Sequence, residues 1–149
     1  LDAEADVSLQ CSFEGLVPDL EEVQADVVLD IEGREIHARF EGEDVVWFDF
    51  LAVCDGPRSQ NDYIELAREY HAVVISDVPQ LGRDSEDKAR RFINLVDEFY
   101  DRSVKLVISC AVPLEQIYSG GRLSFEFDRT VSRLLEMQSH DYLAMPHKP

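Results

Sequence analysis

HAVVISDVPQ, residues 71–80, is the stretch on which the fold turns. Val73, Val74 and Ile75 form an apolar run too short for a helix, and the run predicts a buried strand. It ends in Ser76-Asp77-Val78-Pro79, a turn that sets Asp77 just past the strand. On both sides the apolar period becomes helical. Upstream, NDYIELAREY (61–70) turns Ile64, Ala67, Tyr63 and Tyr70 inward, with Ser59 or Asn61 as the N-cap. Downstream, KARRFINLVDEFYDR (88–102) carries Ala89, Phe92, Ile93, Val96, Phe99 and Tyr100 in an i, i+3, i+4, i+7 stripe.

The alternation continues outward. VKLVISCAV (104–112) predicts a second buried strand and PLEQIY (113–118) a short helix starting at Pro113. LSFEFDRTVSRLLEMQS (123–139) predicts a last helix burying Phe127, Val131, Leu134 and Leu135. Helices and strands in this order imply parallel strands joined by right-handed crossovers. Toward the N-terminus the period falls to two. In ADVVLDIEGREIHARF (25–40), Val27, Leu29 and Ile31 share one face, and Ile36, Ala38 and Phe40 another. Glu32-Gly33 between them predicts a β-hairpin. VVWFDF (45–50) reads as a third strand, Val46, Phe48 and Phe50 alternating with Trp47 and Asp49. DAEADVSLQCSFEGL (2–16) predicts a short amphipathic helix. The expected class is α/β: a mostly parallel sheet with flanking helices plus an antiparallel N-terminal hairpin portion. We expect one domain over 1–149, with 1–50 an acidic helix-and-hairpin portion and 51–149 the α/β portion.

The 149 residues carry a net charge of −17, unevenly spread. Residues 1–50 hold 15 acids against Arg34 and Arg39, whereas 51–149 hold 16 acids against 12 bases. A nucleic-acid surface needs the opposite balance, so nucleic acid is not an expected partner. The acidic portion is either a solvated face or a surface for a basic partner. Cys11, Cys54 and Cys110 sit apart in apolar contexts, form no Cys-x-x-Cys pair, and have no histidine at zinc spacing. They read as buried free thiols in a reducing, cytoplasmic setting, and no metal site is expected. Apolar runs are only a few residues long, and no secretory signal pattern precedes them. The first residue is Leu1, which suggests a processed product or a piece of a longer protein.

No glycine site fits G-x-x-x-x-G-K-[ST], and the lysines are Lys88, Lys105 and Lys148 only. Asp97-Glu98 lies inside a predicted helix rather than after a strand, so it reads as solvated helix acid rather than Walker B. Asp77 stands in the right topological place but lacks a companion glutamate, and a turn-capping carboxylate is the preferred reading over a metal ligand. Ser76, Ser109 and Cys110 sit at strand ends without a G-x-S-x-G turn around them. The suggestive group is basic. Arg129 and Arg133 are i, i+4 neighbours, and Arg122 follows Gly120-Gly121. They serve either an anion or structural pairs with Glu126, Asp128 and Glu136. Arg58, in DGPRSQND at a helix start, poses the same choice between a phosphate contact and a loop-locking bond.

Taken together, VVWFDFLAVCDGPRSQNDYIELAREYHAVVISDVPQL, ARRFINLVDEFYDRSVKLVISCAVPLEQIY and GGRLSFEFDRTVSRLLEMQSHDYL resemble the C-terminal part of the ZapE-type cell-division ATPases. These are bacterial relatives of the mitochondrial Afg-type ATPases, in the P-loop AAA-like group. The resemblance covers about residues 45–147 closely and the hairpin more loosely. It implies a C-terminal domain that completes or regulates ATP hydrolysis by an N-terminal P-loop half. ATP and Mg²⁺ belong to the complete protein; neither is expected to bind this chain alone, which would be inactive by itself. In such ATPases arginines of a C-terminal lid or neighbouring subunit approach the γ-phosphate. On that basis Arg129 and Arg133 become candidate catalytic, phosphate-sensing residues, and Arg58 and Arg122 candidate cofactor contacts. The resemblance also implies partners: the N-terminal ATPase half, the division protein FtsZ or membrane proteins being handled, a membrane surface met peripherally, and other copies of the chain. The rival expectation is a stand-alone protein-binding domain with structural arginines.

Overall fold

Alternation and a left-handed turn build the first two strands. β1 (Gln24–Ile31) and β2 (Arg34–Gly42) pair antiparallel, with Ile31 opposite Arg34 across a two-residue turn. Glu32 and Gly33 both have positive φ, 54° and 77°, as a type I′ connection requires. The computed structural model describes residues 23–56 and 58–139, so the helix expected over 2–16 and Cys11 lie outside the described residues. β3 (Val45–Asp49) pairs antiparallel with β2 and parallel with β4 (Ala72–Val78), which in turn pairs parallel with β5 (Lys105–Cys110). The sheet order is β1-β2-β3-β4-β5. The class is α/β, and β3 is where the antiparallel hairpin meets the parallel portion.

Four helices complete the described chain: α1 (Phe50–Cys54), α2 (Gln60–Glu69), α3 (Glu86–Asp101) and α4 (Ser124–Glu136). Strands β3, β4 and β5 advance across the sheet in one direction, so crossovers of one hand put the connecting helices on one face. The buried residues bear this out. Phe50, Tyr63, Leu66, Phe92, Val96, Phe99 and Phe127 share a core with Val46, Phe48, Val73 and Ile75. The alternate strand residues Val45, Trp47, Ala72 and Val74 form a second cluster on the opposite face. Phe92 and Phe127 stack with centroids 6.5 Å apart, and Tyr118 stacks on Phe127 at 4.5 Å, tying α3, α4 and the loop before α4 together.

Four local expectations change. Phe50 starts α1 instead of ending β3, and its fully buried ring meets Phe92 of α3 with centroids 5.9 Å apart. The strand expected to be buried, β5, is the last in the described sheet, has only β4 beside it among the described residues, and buries only Leu106. Pro113 precedes a single 3₁₀ turn, Leu114–Gln116, rather than opening a helix. On α4 the buried stripe runs through Leu123, Phe127, Thr130, Leu134 and Met137, leaving Leu135 47% exposed.

A candidate anion-binding groove

In open α/β sheets ligands sit outside the carboxyl ends of the parallel strands, where the connecting loops begin. Here three such connections meet. β3 runs through α1 to Asp55 and Gly56. β4 runs to a 3₁₀ turn, Arg83–Ser85, that leads into α3, and β5 leads to the segment Tyr118–Leu123. The last two are locked side by side: the Leu81 N–H donates to Ile117 O at 2.8 Å and the Ser119 N–H to Leu81 O at 2.7 Å. Glycine makes the approach possible. A Cβ on Gly82 would lie 2.2 Å from Ser119 Oγ, and one on Gly121, at φ 148°, would lie 2.5 Å from Tyr118 Oη and 2.8 Å from Glu86 Oε1.

These loops enclose an open groove of about 550 Å³ lined by Asp55, Gly56, Arg83, Asp84, Ser85, Glu86, Asp87, Lys88, Arg91 and Arg122. Two smaller pockets adjoin it, and Arg122 lines both; one also takes in Arg90. Two of the carboxylates are already engaged. Tyr118 O–H donates to Glu86 at 3.2 Å and the Arg122 backbone N–H donates to Glu86 Oε1 at 3.3 Å, while Lys88 Nζ lies 3.8 Å from Asp55.

The sequence-derived arginines divide. Arg129 and Arg133 come together, but on Asp97 of α3: Arg129 Nη2 donates to Oδ2 at 3.3 Å and Arg133 Nη1 donates to Oδ1. Arg133 also lies over the Tyr100 ring, 4.9 Å from its centroid. Their carboxylate partner is thus across the helix interface rather than among Glu126, Asp128 and Glu136, and Asp97 is paired rather than merely solvated. Arg58 lies elsewhere, its Nε donating to Ala52 O at 3.1 Å and its Nη2 to Glu35 O at 3.2 Å. Arg122 is the one that reaches the groove.

The other strand-end residues have local partners. Asp77 has φ 64° at a bulge where the β4–β5 register shifts between Ile75 and Val78, and its N–H donates to Ser109 Oγ at 3.0 Å. Ser76 is buried, donating to Asp49 Oδ1 at 2.7 Å and accepting from Trp47 Nε1 at 3.2 Å. Burial pushes the Cys110 thiol up to about 11 and the Cys54 thiol well above its ordinary value, so neither is a ready thiolate.

Sequence reasoning missed Arg83 and Arg90. Both were visible, in LGRDSED and in the Arg90-Arg91 doublet, but only the loop packing brings them to Arg122. It also missed Arg34 and Asp62, which are 28 positions apart and form an ion pair at 2.8 Å. Among the described residues no group of three or more His, Cys, Asp or Glu converges as a metal site needs, and no helix is long and apolar enough to cross a membrane.

Residues 1–146 match the AFG1-like ATPase family. The chain is 57% identical over 98 residues to Cell division protein ZapE of Escherichia coli K12, covering 66% of this chain and 26% of that one. It is 31% identical over 146 residues to an uncharacterized protein of Schizosaccharomyces pombe, covering 79% and 32% respectively. With Lactation elevated protein 1 homolog B of Danio rerio the identity is 29% over 171 residues, covering 93% and 34%. The chain spans about a quarter to a third of the length of the curated relatives it matches. No solved structure matches it.

Proposed function

The chain belongs to the AFG1-like ATPase family, and on that footing we propose that it is the C-terminal part of a ZapE-like ATPase that completes or regulates ATP hydrolysis by a P-loop half. The observation that carries this is Arg122. It faces an open groove at the carboxyl ends of β3–β5 with its guanidinium unpaired among the described residues. Such a group suits a lid arginine that meets phosphate charge supplied from elsewhere. The chain has no P-loop pattern, so in this reading Mg·ATP would be held by the other half, and these residues would contact its phosphates. The partners that accompany this reading are that ATPase half, the division protein FtsZ or membrane proteins being handled, and further copies of the chain.

A second reading is favoured by Asp97. Because it takes both Arg129 and Arg133, those two arginines also suit a stand-alone protein-binding domain in which they hold α4 to α3. ATP turnover and melting temperature of the longer ATPase, measured for Arg122→Ala, Arg129→Ala, Arg133→Ala and Arg58→Ala, separate the two. The first reading expects Arg122→Ala to lose turnover by about tenfold or more with melting unchanged. The second expects Arg129→Ala and Arg133→Ala to lower melting with turnover per folded molecule intact. Unchanged turnover in all four variants would sink the lid role.

A further inference from the structure

Four arginines among the described residues, Arg68, Arg83, Arg90 and Arg122, have guanidinium groups without a hydrogen-bond or ion-pair partner. Arg83 and Arg122 line one groove, and Arg90 lines a smaller pocket that adjoins it and shares Arg122. In a chain of net charge −17, free guanidinium groups gathered in one place need an explanation. Four carboxylates line the groove, and none of them pairs with these guanidinium groups: Glu86 is taken by Tyr118 and the Arg122 amide, Asp55 lies against Lys88, and Asp84 and Asp87 make no ion pair with them.

We propose that Arg83, Arg90 and Arg122 form a phosphate-binding site belonging to this chain itself, which takes the polyphosphate chain of a ligand. Arg83 and Arg122 are carried by the two loops that Gly82 and Gly121 allow to touch, so their backbones are held together before any ligand arrives. Arg90 follows one turn into α3, whose N-terminal end opens on the same groove. Guanidinium forks match phosphate oxygens two at a time. Asp84 and Asp87 also line the groove and oppose any anion there, so the site depends on linked phosphates reaching several guanidinium groups at once. The open volume of about 550 Å³ admits several linked phosphates. This site needs no P-loop half in order to bind. It shares Arg122 with the lid reading but makes a separate claim.

The test is calorimetric titration of the 149-residue chain with sodium tripolyphosphate and, in parallel, with Mg·ATP, at low ionic strength. The expected result is saturable single-site binding of tripolyphosphate. It should weaken by about tenfold or more in the Arg83→Ala/Arg122→Ala double variant. Arg68→Ala, an exposed arginine outside the groove, should bind like the parent, with circular dichroism confirming that each variant is folded. Equal affinity for the two ligands assigns the site to any phosphate chain, and tighter Mg·ATP binding assigns it to a nucleotide. Absence of saturable tripolyphosphate binding by the parent chain, or equal binding by the folded double variant, overturns the site. Binding here together with intact turnover of Arg122→Ala in the longer ATPase would keep this site and remove the lid role.

Discussion

Arg34 holds Asp62 across the sheet–helix boundary: its Nη1 lies 3.0 and 2.8 Å from the two carboxylate oxygens. Asp62 is fully buried, and its Oδ2 also accepts the Ser59 N–H at 2.9 Å, so one side chain fixes the start of α2 and ties it to the hairpin. This pair is one anchor between the antiparallel portion and the helical layer, beside the Arg58 bond to Glu35 O and the apolar face of the hairpin.

Removing Arg34 leaves a buried carboxylate without its counter-charge. We expect Arg34→Ala to cost about 2 kcal/mol, below the value for a wholly buried pair because Arg34 is 40% exposed. Asp62→Asn should cost less than Arg34→Ala, since the amide needs no counter-ion and still accepts the Ser59 N–H. Urea denaturation read by tryptophan fluorescence checks the order; equal midpoints for the two variants and the parent would show that the pair contributes nothing.

The Asp97 clamp predicts an asymmetry between neighbours. Arg133 is 25% exposed and lies over Tyr100, while Arg129 is 55% exposed. Arg133→Ala should therefore cost about 1 kcal/mol and Arg129→Ala no more than about 0.5 kcal/mol. In an Asp97→Asn background both costs should shrink, and a double-mutant cycle in chemical denaturation measures by how much.

What was legible in the sequence was local. Gly33 after Glu32 marked the hairpin turn, and the stripe from Ala89 to Phe99 marked α3, because periodicities of 2 and 3.6 are carried by neighbours in the chain. Phe50 was misjudged because an alternating strand and a buried helix start look alike at one residue. β5 looked buried because KLVISC is apolar, yet its exposure depends on there being no second neighbour in the described sheet. The groove is half legible: Arg122 stands out in the sequence, whereas Arg83 meets it through the Leu81–Tyr118 pairing, whose partners lie far apart in the chain.

Glu69 gives a pH dependence with a definite sign. Burial raises its carboxyl above the ordinary value, with Glu65 and then Glu41 adding to the shift. A carboxyl with a raised folded pKa favours the fold when protonated, and that contribution fades as pH rises through the folded pKa. Glu69→Gln should therefore stabilise the chain more at pH 7 than at pH 4, seen as a larger rise in urea midpoint at the higher pH. A gain of the same size at both pH values would mean that Glu69 carries no such burden.

The two glycines at the groove predict different costs for the same added methyl. On Gly121 the Cβ meets Tyr118 Oη at 2.5 Å, Glu86 Oε1 at 2.8 Å and Arg83 Cγ at 3.1 Å, and φ of 148° is strained for any L side chain. No single side-chain rotation clears all of these, so Gly121→Ala should cost about 2–3 kcal/mol. On Gly82 the close contact is Ser119 Oγ alone at 2.2 Å, with Ser119 Cβ at an ordinary 3.6 Å. Removing that hydroxyl should relieve most of the cost: Gly82→Ala/Ser119→Ala should be nearly as stable as Ser119→Ala, while no such rescue exists for Gly121→Ala. Thermal melting of the four variants decides it. If Gly82→Ala stays destabilising after Ser119 is trimmed, the contact between the two loops is held by their backbones and not by the space that Gly82 leaves for a serine.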